Sequence, residues 1–107
     1  MKTRTPGNSV KCIRHAASGI EEPEDPSLPF RMEINLRPPE FMQVAFVMLY
    51  GGSEVVVFQG KTIKDLMTAA DREKLSDHPR LRRILIGDSA NRIVKRKEGP
   101  REPWTEG

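Results

Sequence analysis

The sequence predicts an α+β protein: a small ββα module, made of a hairpin plus one amphipathic helix, flanked by disordered N- and C-terminal arms. Three observations support this fold class. Apolar residues are concentrated between Phe30 and Leu75 of the 107-residue chain, two apolar runs flank a short glycine turn, and a helical apolar stripe follows them. Outside this stretch the chain is rich in charged residues, proline and glycine, which is typical of segments that do not pack.

Residues 1–29 are predicted to form a disordered arm, because they lack apolar periodicity and contain an acidic stretch broken by prolines at residues 21–26. Residues 30–40 are predicted to be an extended segment. Residues 30–36 (FRMEINL) alternate apolar and polar side chains, which is the period of a strand or of an extended peptide, and the Pro38–Pro39 pair then stops the pattern.

Residues 41–75 are predicted to form the ββα module. Residues 44–50 are continuously apolar, residues 51–53 (GGS) form a turn, and residues 55–58 (VVVF) are apolar and largely β-branched, as in a hairpin. Thr62 is a predicted N-cap, with Asp65 three residues later, for a helix from about Ile63 to Lys74. The apolar stripe of this helix comprises Ile63, Leu66, Met67 and Ala70.

Residues 76–107 form the basic C-terminal region. They carry eight basic and five acidic side chains, whereas the basic and acidic residues balance in the rest of the chain. The pattern fits a short helix from Ala90 to Lys97, and it fits a second hairpin through residues 87–89 nearly as well. Residues 98–107 are predicted to be loose.

Composition excludes several classes of protein. The single cysteine, Cys12, allows no internal disulfide, and the longest apolar run has seven residues, too short to cross a membrane. No signal peptide is recognised, so we expect an intracellular protein without membrane contact. The apolar stretch of about 46 residues is small for an independent core, so we expect a partner chain and a homo- or hetero-oligomer.

No catalytic or metal site is predicted. Cys12 and His15 have the spacing of two metal ligands, but a zinc site needs three or four, and only His78 remains, across a long linker. A Cys–His catalytic pair has nothing near it in sequence to orient the base. The glycine turn at residues 51–53 lacks the residues of a phosphate-binding loop. We therefore expect no enzyme and no cofactor.

Two basic clusters, Arg82–Arg83 and Lys95–Lys97, are separated by eleven residues. This is the spacing of a bipartite nuclear-import signal, and such clusters also bind nucleic acid through phosphate contacts. The simplest alternative is a solvated charged tail, and the alternative localisation is cytoplasmic.

Three segments, taken in order, resemble the plant TIFY family and its jasmonate-ZIM (JAZ) repressors. Residues 33–38 (EINLRP) are similar to the family's DLNxxP repression motif. Residues 48–52 (MLYGG), with residues 55–58 and the following helix, resemble the ZIM domain. Pro79, Arg82–Arg83, Lys95–Arg96 and Pro103–Trp104 are similar to the C-terminal Jas motif.

The resemblance implies a nuclear transcriptional co-repressor that acts as an adaptor, with a corepressor, a transcription activator and another TIFY chain as partners. It assigns corepressor binding to Glu33, Ile34, Asn35, Leu36 and Pro38. It assigns dimerisation to Tyr50, Gly52, Val56, Phe58 and Leu66. It assigns activator binding or nuclear import to Arg82, Arg83, Lys95, Arg96 and Lys97.

Other readings of the same residues stay open. Ile34 and Leu36 also suit an edge strand of the module's own sheet, and Tyr50, Val56, Phe58 and Leu66 suit plain core packing. The alternative functions are a small basic nucleic-acid-binding regulator of the phage or plasmid type, or a protein inhibitor that docks a sheet edge on an enzyme.

Overall fold

A computed structural model describes residues 10–15, 18–37 and 54–107 of the chain. Within these residues the chain forms seven strands and one helix. The elements are β1 (Lys11–His15), β2 (Ile20–Glu21), β3 (Phe30–Leu36), β4 (Glu54–Gly60), α1 (Ile63–Arg72), β5 (Leu81–Gly87), β6 (Ile93–Lys97) and β7 (Trp104–Glu106).

The seven strands belong to one sheet in the order β2-β1-β4-β3-β5-β6-β7. Each neighbouring pair is antiparallel. The centre of the sheet is β3, which pairs with β4 on one side and β5 on the other. Strands from both predicted arms therefore extend the sheet outward from the predicted module.

The alternation of β3 sets the two faces of the sheet. Met32, Ile34 and Leu36 are at most 2% exposed and face the core, whereas Arg31 and Glu33 lie on the opposite face. The core also contains residues of β4, β5 and α1, namely Val56, Phe58, Leu66, Ala70, Leu81, Ile84 and Ile86. This confirms that residues 30–36 form a strand.

Helix α1 packs on the core face of the sheet and confirms the predicted helix. The Asp65 backbone N–H donates a hydrogen bond to Thr62 Oγ1 at 3.0 Å, so Thr62 is the N-cap that the sequence indicates. The helix ends at Arg72, slightly earlier than predicted, and the chain then reverses through Lys74, whose φ is +60°. Leu66 and Ala70 are fully buried against the sheet.

The opposite face is partly covered by the segment that joins β2 to β3. Gln59 of β4 is 4% exposed beneath this segment. Its side chain accepts the backbone N–H of Asp25 at 2.6 Å and donates to the carbonyl oxygens of Asp25 and Leu28. A buried amide satisfied in this way fixes the course of the segment.

The predicted fold class is wrong. The protein is a small β-rich globule built on a seven-stranded antiparallel sheet with one short helix, and not a ββα module between disordered arms. Residues of the predicted arms form β1, β2, β5, β6 and β7. Most of these strands are short or polar, because one face of an antiparallel sheet can carry charges. Some of these charges pair across strands, as Arg14 does with Glu21 and Lys95 with Glu106.

Of the predicted hairpin in the module, only the second strand, β4, can be compared. The first predicted strand, residues 44–50, and the turn at residues 51–53 lie outside the described residues. In the C-terminal region the hairpin alternative is confirmed, since β5 and β6 pair around residues 88–92. The Asp88 side chain holds that turn by accepting the backbone N–H groups of Ala90 and Arg92.

None of the helices in the described ranges is long and apolar enough to span a membrane.

Candidate functional site at one end of the sheet

Four strands bring their termini to the same end of the sheet. β1 ends at His15 and β3 at Leu36, whereas β4 begins at Glu54 and β5 at Leu81. The register pairs Leu36 with both Glu54 and Leu81, and it pairs His15 with Val56. Residues far apart in the sequence therefore meet here, and we call this region the Glu54 end of the sheet.

Glu54 is a buried carboxylate, 4% exposed. Its Oε2 lies 3.0 Å from Nε2 of His15, and its Oε1 lies 4.0 Å from Nη1 of Arg80. A buried charge is costly unless it has partners, and these two partly exposed side chains supply them.

His15 also contacts Ser18, whose Oγ lies 2.8 Å from its Nδ1. An ionised carboxylate can only accept, so Glu54 places the proton of a neutral His15 ring on Nε2. Nδ1 is then an acceptor, and the Ser18 hydroxyl donates to it. The result is a continuous chain of hydroxyl, imidazole and carboxylate.

Arg80 and His78 extend the site along the approach to β5. Arg80 Nη1 donates to the carbonyl oxygen of Arg37 at 2.6 Å, and the Arg80 backbone N–H donates to Nδ1 of His78 at 3.0 Å. Burial lowers the pKa of His78; the charge of Arg80 lowers it further, and that of Glu54 opposes the change. His78 is therefore held toward its neutral form.

Three further arginines lie near this end of the sheet, one directly after β3 and two near the start of β5. Arg37, Arg82 and Arg83 are exposed, and no carboxylate of the described residues lies within ion-pair distance of their side chains. Two acids that follow β6 or precede β5 pair with other cations, Glu98 with Arg96 and Asp77 with Lys97. The Glu54 end is thus rich in unneutralised positive charge.

The predicted corepressor-binding residues lie in the central strand. Ile34 and Leu36 are buried in the core, Glu33 and Asn35 face the other side, and Pro38 lies outside the described residues. Among the described strands β3 is central and not the edge strand considered above. Corepressor binding stays a prediction, and it would require β3 to leave the sheet before Ile34 and Leu36 could enter a groove.

The predicted dimerisation residues that are described lie in the core of this chain. Val56 is 1% exposed, Phe58 7% and Leu66 0%. They pack in the hydrophobic core, as expected from the alternative interpretation of these residues. Tyr50 and Gly52 lie outside the described residues, and dimerisation stays a prediction.

The two basic clusters lie on neighbouring strands but differ in their surroundings. Arg82 and Arg83 of β5 are exposed and unpaired among the described residues. On β6, Lys95 pairs with Glu106, Arg96 with Glu98, and Lys97 is only 5% exposed and pairs with Asp77. Nuclear import and activator binding stay predictions, with Arg82 and Arg83 as their accessible part.

Sequence reasoning missed Ser18 and Glu54 as members of a site with His15. His15 and Glu54 are 39 residues apart, and no local motif connects them. Cys12, the partner considered for His15, instead donates to the carbonyl oxygen of Arg14, and burial raises the pKa of its thiol. In the described part of the chain, no group of three or more His, Cys, Asp or Glu could hold a metal ion.

Comparisons with protein families, curated proteins and solved structures give no match, and none of them identifies a TIFY protein.

Proposed function

We propose that this protein binds nucleic acid through phosphate contacts at the Glu54 end of the sheet. The observation that carries the proposal is the placement of Arg37, Arg80, Arg82 and Arg83 near one end of the sheet, and of these four Arg80 pairs with the buried carboxylate of Glu54. Guanidinium groups match phosphate oxygens in geometry and charge. The net charge of +3 gives the whole chain the same tendency.

The expected mode of binding is electrostatic and largely independent of sequence. None of the described residues that form the site is Phe, Tyr or Trp, so we expect stacking on bases to contribute little. Phosphate contacts position a protein on a duplex without reading its bases. Binding should therefore be driven by the release of counterions, with a dissociation constant of about 10⁻⁴–10⁻⁶ M at physiological salt.

The test is a salt titration of duplex DNA binding, followed by fluorescence anisotropy. The double variant Arg82→Gln with Arg83→Gln should weaken binding and reduce the slope of log K against log salt by about two, because each lost phosphate contact removes about 0.9.

The matched control is the double variant Lys64→Gln with Arg72→Gln, which removes the same charge from exposed positions of α1. It should leave most of the slope intact. A flat salt response of the unmodified protein, or equal losses in the two double variants, would contradict the proposal.

A further inference from the structure

We propose that Ser18 is a nucleophile, with His15 as its general base and Glu54 as the positioning carboxylate, and that the site acts on phosphodiesters. The nucleophile is inferred from the contacts of these three side chains. The choice of phosphodiester as substrate rests on the proposed function, because it is the arginine cluster that selects an anionic ester.

The first argument is the direction in which the site can move a proton. Glu54 Oε2 lies 3.0 Å from His15 Nε2, and His15 Nδ1 lies 2.8 Å from Ser18 Oγ. With the Nε2 proton held by the carboxylate, the free lone pair of the ring points at the serine hydroxyl. Nucleophilic hydroxyls in proteins are activated by this arrangement of base and orienting group, which is recognised by geometry and not by order in the chain.

The second argument is the gradient of burial along the chain of contacts. The side chain of Glu54 is 6% exposed and that of His15 is 29% exposed, whereas Ser18 is open to solvent. The carboxylate is thereby shielded from water, and its hydrogen bond to the imidazole is stronger in the protein interior than it would be in water. The hydroxyl lies at the surface, where a large substrate such as a nucleic-acid strand can reach it.

The third argument is that backbone pairing positions His15 relative to both of its partners. His15 is the last residue of β1, and its pairing with Val56 of β4 brings its side chain near Glu54. Ser18 and Gly19 directly precede β2, Gly19 has a φ of +74°, and Ile20 pairs with His15. The backbone pairing on both sides of His15 pre-organises the contact.

The reaction that this geometry allows has two balanced steps. Ser18 Oγ attacks phosphorus while its proton passes to His15 Nδ1; the bond from phosphorus to one ester oxygen breaks, and that oxygen takes the proton and leaves as an alcohol. A water molecule then gives a proton to Nδ1 and attacks the seryl phosphodiester. Ser18 recovers its proton, and a phosphate monoester is released.

The nucleophile is tested with an alkyl fluorophosphonate, which forms an Oγ–P bond on an activated serine as fluoride leaves. Intact-mass measurement on the full chain should show one adduct, located at Ser18 by peptide mapping. Ser18→Ala should abolish it, and His15→Gln should slow it at least about 100-fold, the size of a general-base contribution. Ser27→Ala, at another exposed serine with its own hydrogen-bond partner, should leave it unchanged.

The role of Glu54 is separated from a structural one by comparing labelling with folding. Glu54→Gln should slow labelling at least about tenfold at a temperature where circular dichroism shows the variant folded, and Glu54→Asp should restore part of the rate. Slow labelling that merely follows loss of folded protein would overturn the positioning role. Absence of any adduct at Ser18 in the unmodified protein would overturn the nucleophile.

The substrate class is tested with bis(p-nitrophenyl) phosphate, a small phosphodiester that releases coloured p-nitrophenolate. Release that is lost in Ser18→Ala supports the assignment. Labelling of Ser18 without any release overturns it. Because the fluorophosphonate carries no charge, its reaction does not depend on the arginine cluster, so failure of the DNA salt titration and failure of the nucleophile are separate results.

Discussion

Glu54 and Lys97 are charged side chains that lie almost wholly inside the protein, at 4% and 5% exposure. Each is held by partners nearer the surface: Glu54 by His15 and Arg80, and Lys97 by Asp77 and the carbonyl oxygen of Glu102. Removing one partner of a buried charge costs more than the pair itself contributes. These residues therefore constrain where the ends of β1, β4 and β6 can lie.

His78 provides a prediction about protonation. Burial and the charge of Arg80 lower its pKa below the ordinary value of 6.5, so in an NMR titration its ring should titrate at a lower pH than an ordinary histidine. Replacing Arg80 with Gln should raise the pKa, because a nearby positive charge is removed. The matched variant Arg72→Gln should not change it. An unchanged pKa in Arg80→Gln would show that the guanidinium does not act on the ring.

The same shift sets the sign of a contribution to stability. Because the pKa of His78 is lower in the folded protein, the unfolded chain binds this proton first as the pH falls. The free energy of unfolding should therefore decrease as the pH drops below about 6.5, the value for unfolded histidine. In urea melts between pH 7.5 and 5.5, His78→Asn should lose less stability than the unmodified protein; an equal loss would contradict this.

Neighbouring residues of β3 should contribute very differently to stability, because successive side chains face opposite sides of the sheet. Ile34 is fully buried in the core, whereas its neighbour Asn35 lies on the opposite face and is partly exposed. Ile34→Ala should lower the free energy of unfolding by about 2–5 kcal/mol, and Asn35→Ala by no more than about 0.5 kcal/mol, both measured by urea denaturation. Similar losses for the two variants would contradict the observed register.

Leu36→Ala removes a side chain of the same core, since Leu36 is 2% exposed. Its loss of stability should match that of Ile34→Ala. A corepressor-binding assay that uses this variant therefore needs a folding measurement beside it, because unfolding alone would abolish binding.

The elements predicted from the sequence are those in which apolar residues recur with the period of a strand or a helix. The alternation of β3, the β-branched run of β4 and the stripe of α1 each indicate their structure locally. β6 (IVKRK) gives no such signal, because Lys95 and Lys97 pair with the core positions Ile86 and Ile84. Their aliphatic stems pack while the ammonium groups reach Glu106 and Asp77.

The candidate site could not be predicted for a related reason. Its members come from the first, fourth and fifth strands and the segments beside them, and only the register of the sheet brings them together. Ser18 and Glu54 each look like an ordinary solvated residue in the sequence. Their chemistry depends on burial and on contact with His15, and neither is encoded in local spacing.

At the scale of the whole molecule, the sheet changes the argument for a partner chain. That expectation rested on a core limited to about 46 residues in the middle of the sequence. The structure adds residues of both predicted arms to the same sheet, and Val10, Leu75, Val94 and Trp104 pack against the core from outside that limit or at its edge. Size alone therefore no longer requires an oligomer, and oligomerisation stays a prediction.

Trp104 can be used to test whether the whole sheet unfolds in one cooperative transition. It is the single tryptophan of the chain, it lies on the outer strand β7, and it packs against the core. If the sheet unfolds as one unit, the change in tryptophan fluorescence and the loss of β circular dichroism should have the same urea midpoint. A fluorescence change at lower urea would show that β7 detaches before the rest.

The position of β1 in the sheet has a consequence for synthesis on the ribosome. β1 is synthesised before its principal partner, β4, and β3 and the segment that follows it are synthesised in between. At the usual rates of translation, the edge of β1 that pairs with β4 stays without this partner for some seconds. The charged residues within β1, Lys11 and Arg14, are of the kind that keeps an unpaired edge from joining other chains during this interval.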